Sequence, residues 1–312
     1  REAADMTKPT SFSGIISATP TPLTREGAID RKAVETLVEG LVAAPTAAIA
    51  PNGGTGEATA LTRRQKALML ETTLAAVNGR VPVIAGILSP GIGDVLEESQ
   101  AAANAGADAL LVVTPYYARA TQDGIVDYYK HLSDSVDLPI MLYEIPYRTG
   151  ISLTPDTVAR LADETRVNSM KACSTDMRYQ MLTVEAAGDK ISILTGQEDV
   201  FPMHMAMGAR GGFFASSCIC PFAWHRIYQL SEAGQTDAAL ALHRRIMPYV
   251  DLFYKEHNPA GLKAALEIVG NPHGGCLPPL QSASDTLVQE LRNALPEFLK
   301  IEADAKDLVT KT

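Results

Sequence analysis

Ala109-Leu110-Leu111-Val112-Val113-Thr114 is followed by Pro115 and two tyrosines, then by Asp123–Ser135, then by Pro139-Ile140-Met141-Leu142-Tyr143-Glu144-Ile145. The two outer runs are apolar almost throughout, the pattern of strands covered on both faces. Between them, apolar residues recur at three- and four-residue spacing, the period of a helix. Strand, helix and strand in this order make one parallel β/α unit. The same beat extends in both directions. Counting these two, the apolar runs are Gly14–Thr19, Ala47–Ala50, Val81–Ile87, Ala109–Thr114, Pro139–Ile145, Val167–Cys173, Ile191–Gly196 and Gly211–Ser217. Helical stretches between them include Arg31–Ala43, Arg63–Val77, Val95–Ala105, Asp123–Ser135 and Pro155–Ala162. Thr62 is placed to cap the second, and Thr154 with Pro155 supplies the cap and first-position proline of another. Eight such units close most simply into an α/β fold of the (β/α)8 TIM-barrel type, and a doubly wound open sheet is the alternative.

After the eighth run the chain carries more helix than one crossover needs: Trp224–Ala233, Thr236–Phe253, Ala260–Ile268 and Ala283–Phe298. No Ser/Gly-rich linker precedes them, so residues 222–312 are expected to pack as C-terminal helices on a barrel of residues 11–221. Residues 1–10 are expected to be disordered or tag-derived, and stand outside this reading. With 46% hydrophobic and 20% charged residues among 312, the chain can bury a large core. A net charge of −9 without any Lys/Arg block gives nothing to attract nucleic acid or an anionic membrane. The apolar runs fall far short of the ~20 residues a membrane helix needs. Four cysteines, Cys173, Cys218, Cys220 and Cys276, are too few for a disulfide scaffold, and a reducing cytoplasm is expected. Cys218 and Cys220 lack companions at metal-ligand spacing, so no metal is expected.

In a barrel the reactive groups lie at the carboxyl ends of the strands. The second run there ends in Pro51-Asn52-Gly53-Gly54-Thr55-Gly56-Glu57, the fourth in Thr114-Pro115-Tyr116-Tyr117, the fifth in Tyr143 and the sixth in Lys171. Lys171 lies inside an apolar run, where a poorly solvated ammonium has a lowered pKa and its neutral amine can attack a ketone. The same position suits a structural lysine paired with Glu57 or Glu144. Tyr143 ends the neighbouring strand, ~4.8 Å away. There a phenol can pass protons to and from an imine, or can simply be a core aromatic with its hydroxyl satisfied. The turn Gly53–Gly56 lets backbone N–H groups approach a carboxylate closely, with the Thr55 hydroxyl beside them. Glycines after strands also serve turn geometry alone. The turn lacks the Lys-Ser/Thr ending of a phosphate loop and is no dinucleotide fingerprint, so ATP and NAD are disfavoured and no cofactor is expected.

Taken together, these segments resemble the dihydrodipicolinate synthase and N-acetylneuraminate lyase superfamily of class I, Schiff-base-forming aldolases. The resemblance spans almost the whole chain. It rests on Gly53–Glu57 followed by Leu61-Thr62, Val81–Gly86, Thr114–Tyr117, Tyr143-Glu144-Ile145-Pro146-Tyr147-Arg148-Thr149-Gly150 and Lys171. It implies that Lys171 forms an imine with pyruvate or another 2-keto acid and that Tyr143 transfers protons. It further implies that Gly54, Thr55 and Gly56 hold the keto-acid carboxylate, and that Arg148 binds the carboxylate of a second substrate. Tyr117 resembles the tyrosine that completes a neighbouring subunit's site, so a homo-oligomer, dimer or tetramer, is implied. Two positions depart from the synthase pattern. Gly54 stands where a hydroxyl residue usually links the two tyrosines, and Glu144 stands where Asn is usual; strand alternation should point Glu144 away from the barrel interior.

The reading is therefore a lyase of the dihydrodipicolinate synthase type, needing no metal. Three rivals remain open on the same sequence. They are a 2-keto-3-deoxy sugar-acid aldolase or dehydratase, a cyclic imino-acid deaminase, and a non-catalytic keto-acid sensor.

Overall fold

A computed structural model describes residues 11–310. The expectation for residues 1–10 lies outside this range. Eight parallel strands form one sheet: β1 (Gly14–Ala18), β2 (Ala48–Ala50), β3 (Ile84–Ile87), β4 (Ala109–Val113), β5 (Ile140–Glu144), β6 (Val167–Ala172), β7 (Ser192–Thr195) and β8 (Gly211–Phe214). Their order is β2-β1-β8-β7-β6-β5-β4-β3, and the parallel bridge Ile49–Val83 joins the two ends. The sheet is thus a ring, and the doubly wound alternative is excluded. Helices follow the strands around the outside, completing the (β/α)8 barrel.

The caps read from sequence are present. Thr62 accepts from the Gln65 N–H while the Gln65 side chain accepts from the Thr62 N–H, a reciprocal capping box at the start of Arg63–Val77. Thr154 accepts from the Thr157 N–H ahead of Pro155. The strands are shorter than their apolar runs. β8 stops at Phe214 because the chain then turns through a single 3-10 turn, Ser216–Cys218, rather than continuing to Ser217. The third run, read from Val81, enters the strand only at Ile84.

The helix Pro221–Glu232 is the first α-helix after β8, in the place of the barrel's eighth helix. Trp224, fully buried, packs at 4.6 Å from the Phe214 ring and donates its indole N–H to Ser216 Oγ at 2.7 Å. Three further helices extend from it: Thr236–Tyr254, Ala260–Ile268 and Asp285–Thr310. The last runs well beyond Phe298, because Phe298, Ile301 and Ala305 continue its buried stripe. Its Glu302 carboxylate accepts from the N–H groups of Phe222 and Ala223, at 2.9 and 2.8 Å. These are orphan donors of a helix start, so this contact caps one helix with a carboxylate from another. No helix among the described residues is long and apolar enough to cross a membrane.

Candidate active site

The carboxyl ends of the strands surround a cavity of about 270 Å³ that contains Lys171, Tyr143, Thr55, Gly54 and Arg148. Lys171 and Tyr143 are register partners across β6 and β5. Both are inside the barrel, 8% and 5% exposed. The Lys171 Nζ lies 4.5 Å from the centroid of the Tyr143 ring and 4.2 Å from that of Phe213, so two aromatic faces hold it. No carboxylate among the described residues forms an ion pair with it. Burial lowers its pKa below the ordinary lysine value, and the Arg148 guanidinium pushes the same way against the opposing pull of Cys173 and Glu198.

The structural pairings open to Lys171 on the sequence are not made. Glu57 is taken by Lys263, whose Nζ donates to it at 2.7 Å in a pair with almost no exposure. Glu144 is wholly buried on the other face of β5, as alternation requires, and no side chain among the described residues pairs with its carboxyl. Burial pushes that carboxyl up to about 7, against the weaker pull of the Leu153 amide. The Tyr143 hydroxyl is likewise driven well above the ordinary phenol value, chiefly by burial. It is therefore a neutral O–H donor at neutral pH.

The glycine turn sits beside these groups. A Cβ added at Gly54 would lie 3.7 Å from Tyr143 Oη and 3.8 Å from Arg148 Nη1, so the missing side chain leaves open space between phenol and guanidinium. Thr55, 6% exposed, faces the cavity. Gly56 does not line it. A Cβ there would come within 3.0 Å of the Asn52 N, and its carbonyl accepts from the Thr21 hydroxyl at 2.6 Å. Its observed contacts are thus steric and structural. Arg148 comes from the short helix Pro146–Thr149 after β5. Tyr117 is not at the cavity of its own chain: it is 98% exposed, with φ +72. Tyr116 turns inward instead and donates to the Leu88 carbonyl at 2.9 Å.

Several cavity groups escaped the sequence reading. Phe213 is the second ring against Lys171, and Gly196 is required because a Cβ would sit 3.1 Å from Lys171 Cε and 2.1 Å from Cys173 Sγ. Glu198, 6% exposed, accepts at Oε1 from the N–H groups of Ala215 and Ser216 and from the Tyr254 hydroxyl, while Oε2 is buried without a partner among the described residues. Asp199 and Asp251 stand at the mouth. Asn258, from the C-terminal helices, donates its Nδ2 to Thr55 Oγ1 at 3.0 Å. A glycine at a strand end was the only local signal among these; the others arrive through long-range packing.

Comparison with known proteins adds to this geometry. The model of the dihydrodipicolinate synthetase family matches residues 11–298. The 4-hydroxy-tetrahydrodipicolinate synthase of Thermodesulfovibrio yellowstonii is 34% identical over 284 residues, 91% of this chain and 97% of that protein. Among solved structures, the chloride-inhibited dihydrodipicolinate synthase of Acinetobacter baumannii complexed with pyruvate superposes with a TM-score of 0.88 at 31% identity, covering 92% of this chain and 98% of that one. A monomeric dihydrodipicolinate synthase variant superposes with a TM-score of 0.90 at 29% identity, covering 94% and 98%.

Proposed function

The chain belongs to the dihydrodipicolinate synthetase family and is a lyase of the dihydrodipicolinate synthase type, and from this premise we propose that it holds pyruvate or another 2-keto acid on Lys171 as a Schiff base. One observation carries the proposal: a buried amine, in no ion pair with any described carboxylate, is packed against the ring of the phenol register-paired with it.

The neutral amine attacks the keto carbon, forming the C–N bond, and the former carbonyl oxygen takes a proton from the Tyr143 hydroxyl. The phenolate so formed takes a proton from the new ammonium and returns it to that oxygen, the C–O bond breaks, and water leaves a protonated imine beside the Tyr143 phenolate. The positive nitrogen of the imine withdraws electrons, so a proton passes from the neighbouring carbon to the Tyr143 phenolate, which becomes a neutral phenol again, and an enamine forms. The enamine carbon then bonds to an electrophile, or expels a leaving group, and hydrolysis of the imine returns Lys171. Tyr143 carries protons in both directions, as a neutral phenol positioned by packing can. Thr55 and the N–H groups of its turn take the keto-acid carboxylate. Arg148, on the far side of the Gly54 gap, suits the carboxylate of a second substrate, because its planar fork can donate to both oxygens.

A second reading is favoured by the open space at Gly54 together with Glu198, Asp199 and Asp251 around the cavity. Such acceptors suit the hydroxyl groups of a 2-keto-3-deoxy sugar acid. Initial rates with pyruvate plus aspartate semialdehyde, against sugar acids and hydroxyproline-derived imino acids, separate the two. A non-catalytic sensor would have no use for both Lys171 and Tyr143.

Assembly into at least a dimer forms part of the proposal. It is supported by Tyr117, an aromatic side chain held almost fully in solvent on a left-handed backbone, away from its own cavity. The four cysteines are unpaired, which supports a reducing cytoplasm as the compartment. The central claim is tested by incubation with pyruvate and borohydride, followed by peptide mass spectrometry. Reduction should fix the adduct on Lys171. An adduct on any other lysine, or none with any 2-keto acid, would overturn the assignment.

A further inference from the structure

Asn258 stands in the turn between the helices Thr236–Tyr254 and Ala260–Ile268, and it reaches back across the barrel mouth to Thr55. Its Nδ2 donates to Thr55 Oγ1 at 3.0 Å, and its Oδ1 is buried with no partner among the described residues. Both residues line the cavity that holds Lys171. The turn carrying Thr55 is tied to the same C-terminal segment a second time. Lys263 donates to Glu57 at 2.7 Å and to the Gly275 carbonyl at 2.7 Å, while Glu57 Oε2 accepts from the Leu277 N–H at 2.7 Å. Glu57 holds a φ of +55, a conformation these bonds stabilise at the end of the glycine turn.

A hydroxyl has one proton and can donate in one direction only. With one of its two lone pairs turned to the Asn258 amide, the hydroxyl cannot point its proton at that amide, and the proton is free to point into the cavity. We infer that Asn258 is a positioning residue for the keto-acid site, orienting the Thr55 hydroxyl as a donor toward the bound carboxylate. The inference rests on the reading that Thr55 holds that carboxylate. It gives the C-terminal segment a role in substrate binding: it sets the polarity of a group in the turn after β2.

The Asn258→Asp substitution keeps the shape and reverses the polarity. The new carboxylate draws the Thr55 proton to itself, so the hydroxyl presents lone pairs to an anion. Asn258→Ala merely releases the hydroxyl to rotate. Half-saturating pyruvate for borohydride trapping on Lys171 reads binding without requiring turnover, and full trapping at high pyruvate shows that each variant is folded. The expected order is a rise of about tenfold or more for Asn258→Asp, the scale of a hydrogen bond to a charged group. A smaller rise is expected for Asn258→Ala, and no further rise when that change is added to Thr55→Val. KM for pyruvate should move with these values more than kcat. A structural filler would give the reverse order, with the isosteric Asn258→Asp milder than Asn258→Ala, and that result overturns the inference. So does an Asn258→Ala effect that persists in full on Thr55→Val. If Thr55→Val leaves trapping unchanged, the carboxylate reading of the turn fails first. A wild type that traps no pyruvate at all overturns the imine proposal beneath both.

Discussion

Tyr143 and Lys171 are paired residue against residue across β5 and β6, with the lysine nitrogen 4.5 Å from the centroid of the phenol ring. That relationship follows from parallel register. Side chains at matched positions on neighbouring strands point to the same face, so two polar groups in separate apolar runs meet inside the ring. Phe213 lies on the other side, its ring centroid 4.2 Å from the amine. The lowered pKa of Lys171 and the raised pKa of Tyr143 share their largest cause, since burial disfavours both charged forms.

Replacing Tyr143 with Phe keeps the packing and removes the proton carrier. Keto-acid binding should be largely retained, while steady-state turnover falls by about 10²–10⁴-fold. A loss of less than about threefold would remove Tyr143 from the proton-transfer role.

Lys263→Met should destabilise the protein by about 3–5 kcal/mol in denaturant unfolding, because it removes the cation that Glu57 meets where neither side chain is exposed. Adding Glu57→Gln should recover part of the loss. If the single substitution costs less than about 1 kcal/mol, the pair is not what anchors the turn.

Glu144 gives the protein a pH dependence whose sign can be worked out. Its carboxyl is pushed from an ordinary 4.5 up to about 7 in the folded state. Between these values the unfolded chain has already released the proton that the folded one retains. The contribution is therefore fully present below pH 4.5 and is lost as pH rises through about 7. Glu144→Gln cannot ionise. Its stability relative to the wild type should improve between pH 5 and pH 8, by up to about 3 kcal/mol. Unfolding curves at the two pH values check this, and an unchanged difference would show that Glu144 titrates normally.

Tyr117 leads to a complementation test. Lys171→Ala should be inactive and Tyr117→Phe poorly active, yet mixing the two should restore activity. One site in each hybrid dimer then joins an intact lysine to its neighbour's intact tyrosine. Sedimentation should show an oligomer for the wild type. A fully active monomer, or no recovery after proven subunit exchange, would assign Tyr117 no part in a neighbour's site.

While the bridge Ile49–Val83 decided between a ring and an open sheet, sequence alone determined the β/α beat and singled out the two residues at the centre of the cavity. The reason is that these signals are local. Strand runs, helical spacing and caps such as Thr62 are set by neighbours a few residues away, and a lysine inside an apolar run is conspicuous wherever it stands. The partners were decided by tertiary structure. Nothing near Glu57 in the chain says that Lys263, 206 residues on, takes it rather than Lys171. Nor does anything near Thr55 announce Asn258, 203 residues away. Glu198 is held in place by the amides of Ala215 and Ser216 after the next strand. Periodicity tells which face of an element is buried, but not which other element covers it. That depends on closure of the ring and on the angle at which the last helices pack across its mouth. The polarity of the cavity, and the outward aim of Tyr117, are therefore properties of the folded barrel rather than of any one segment.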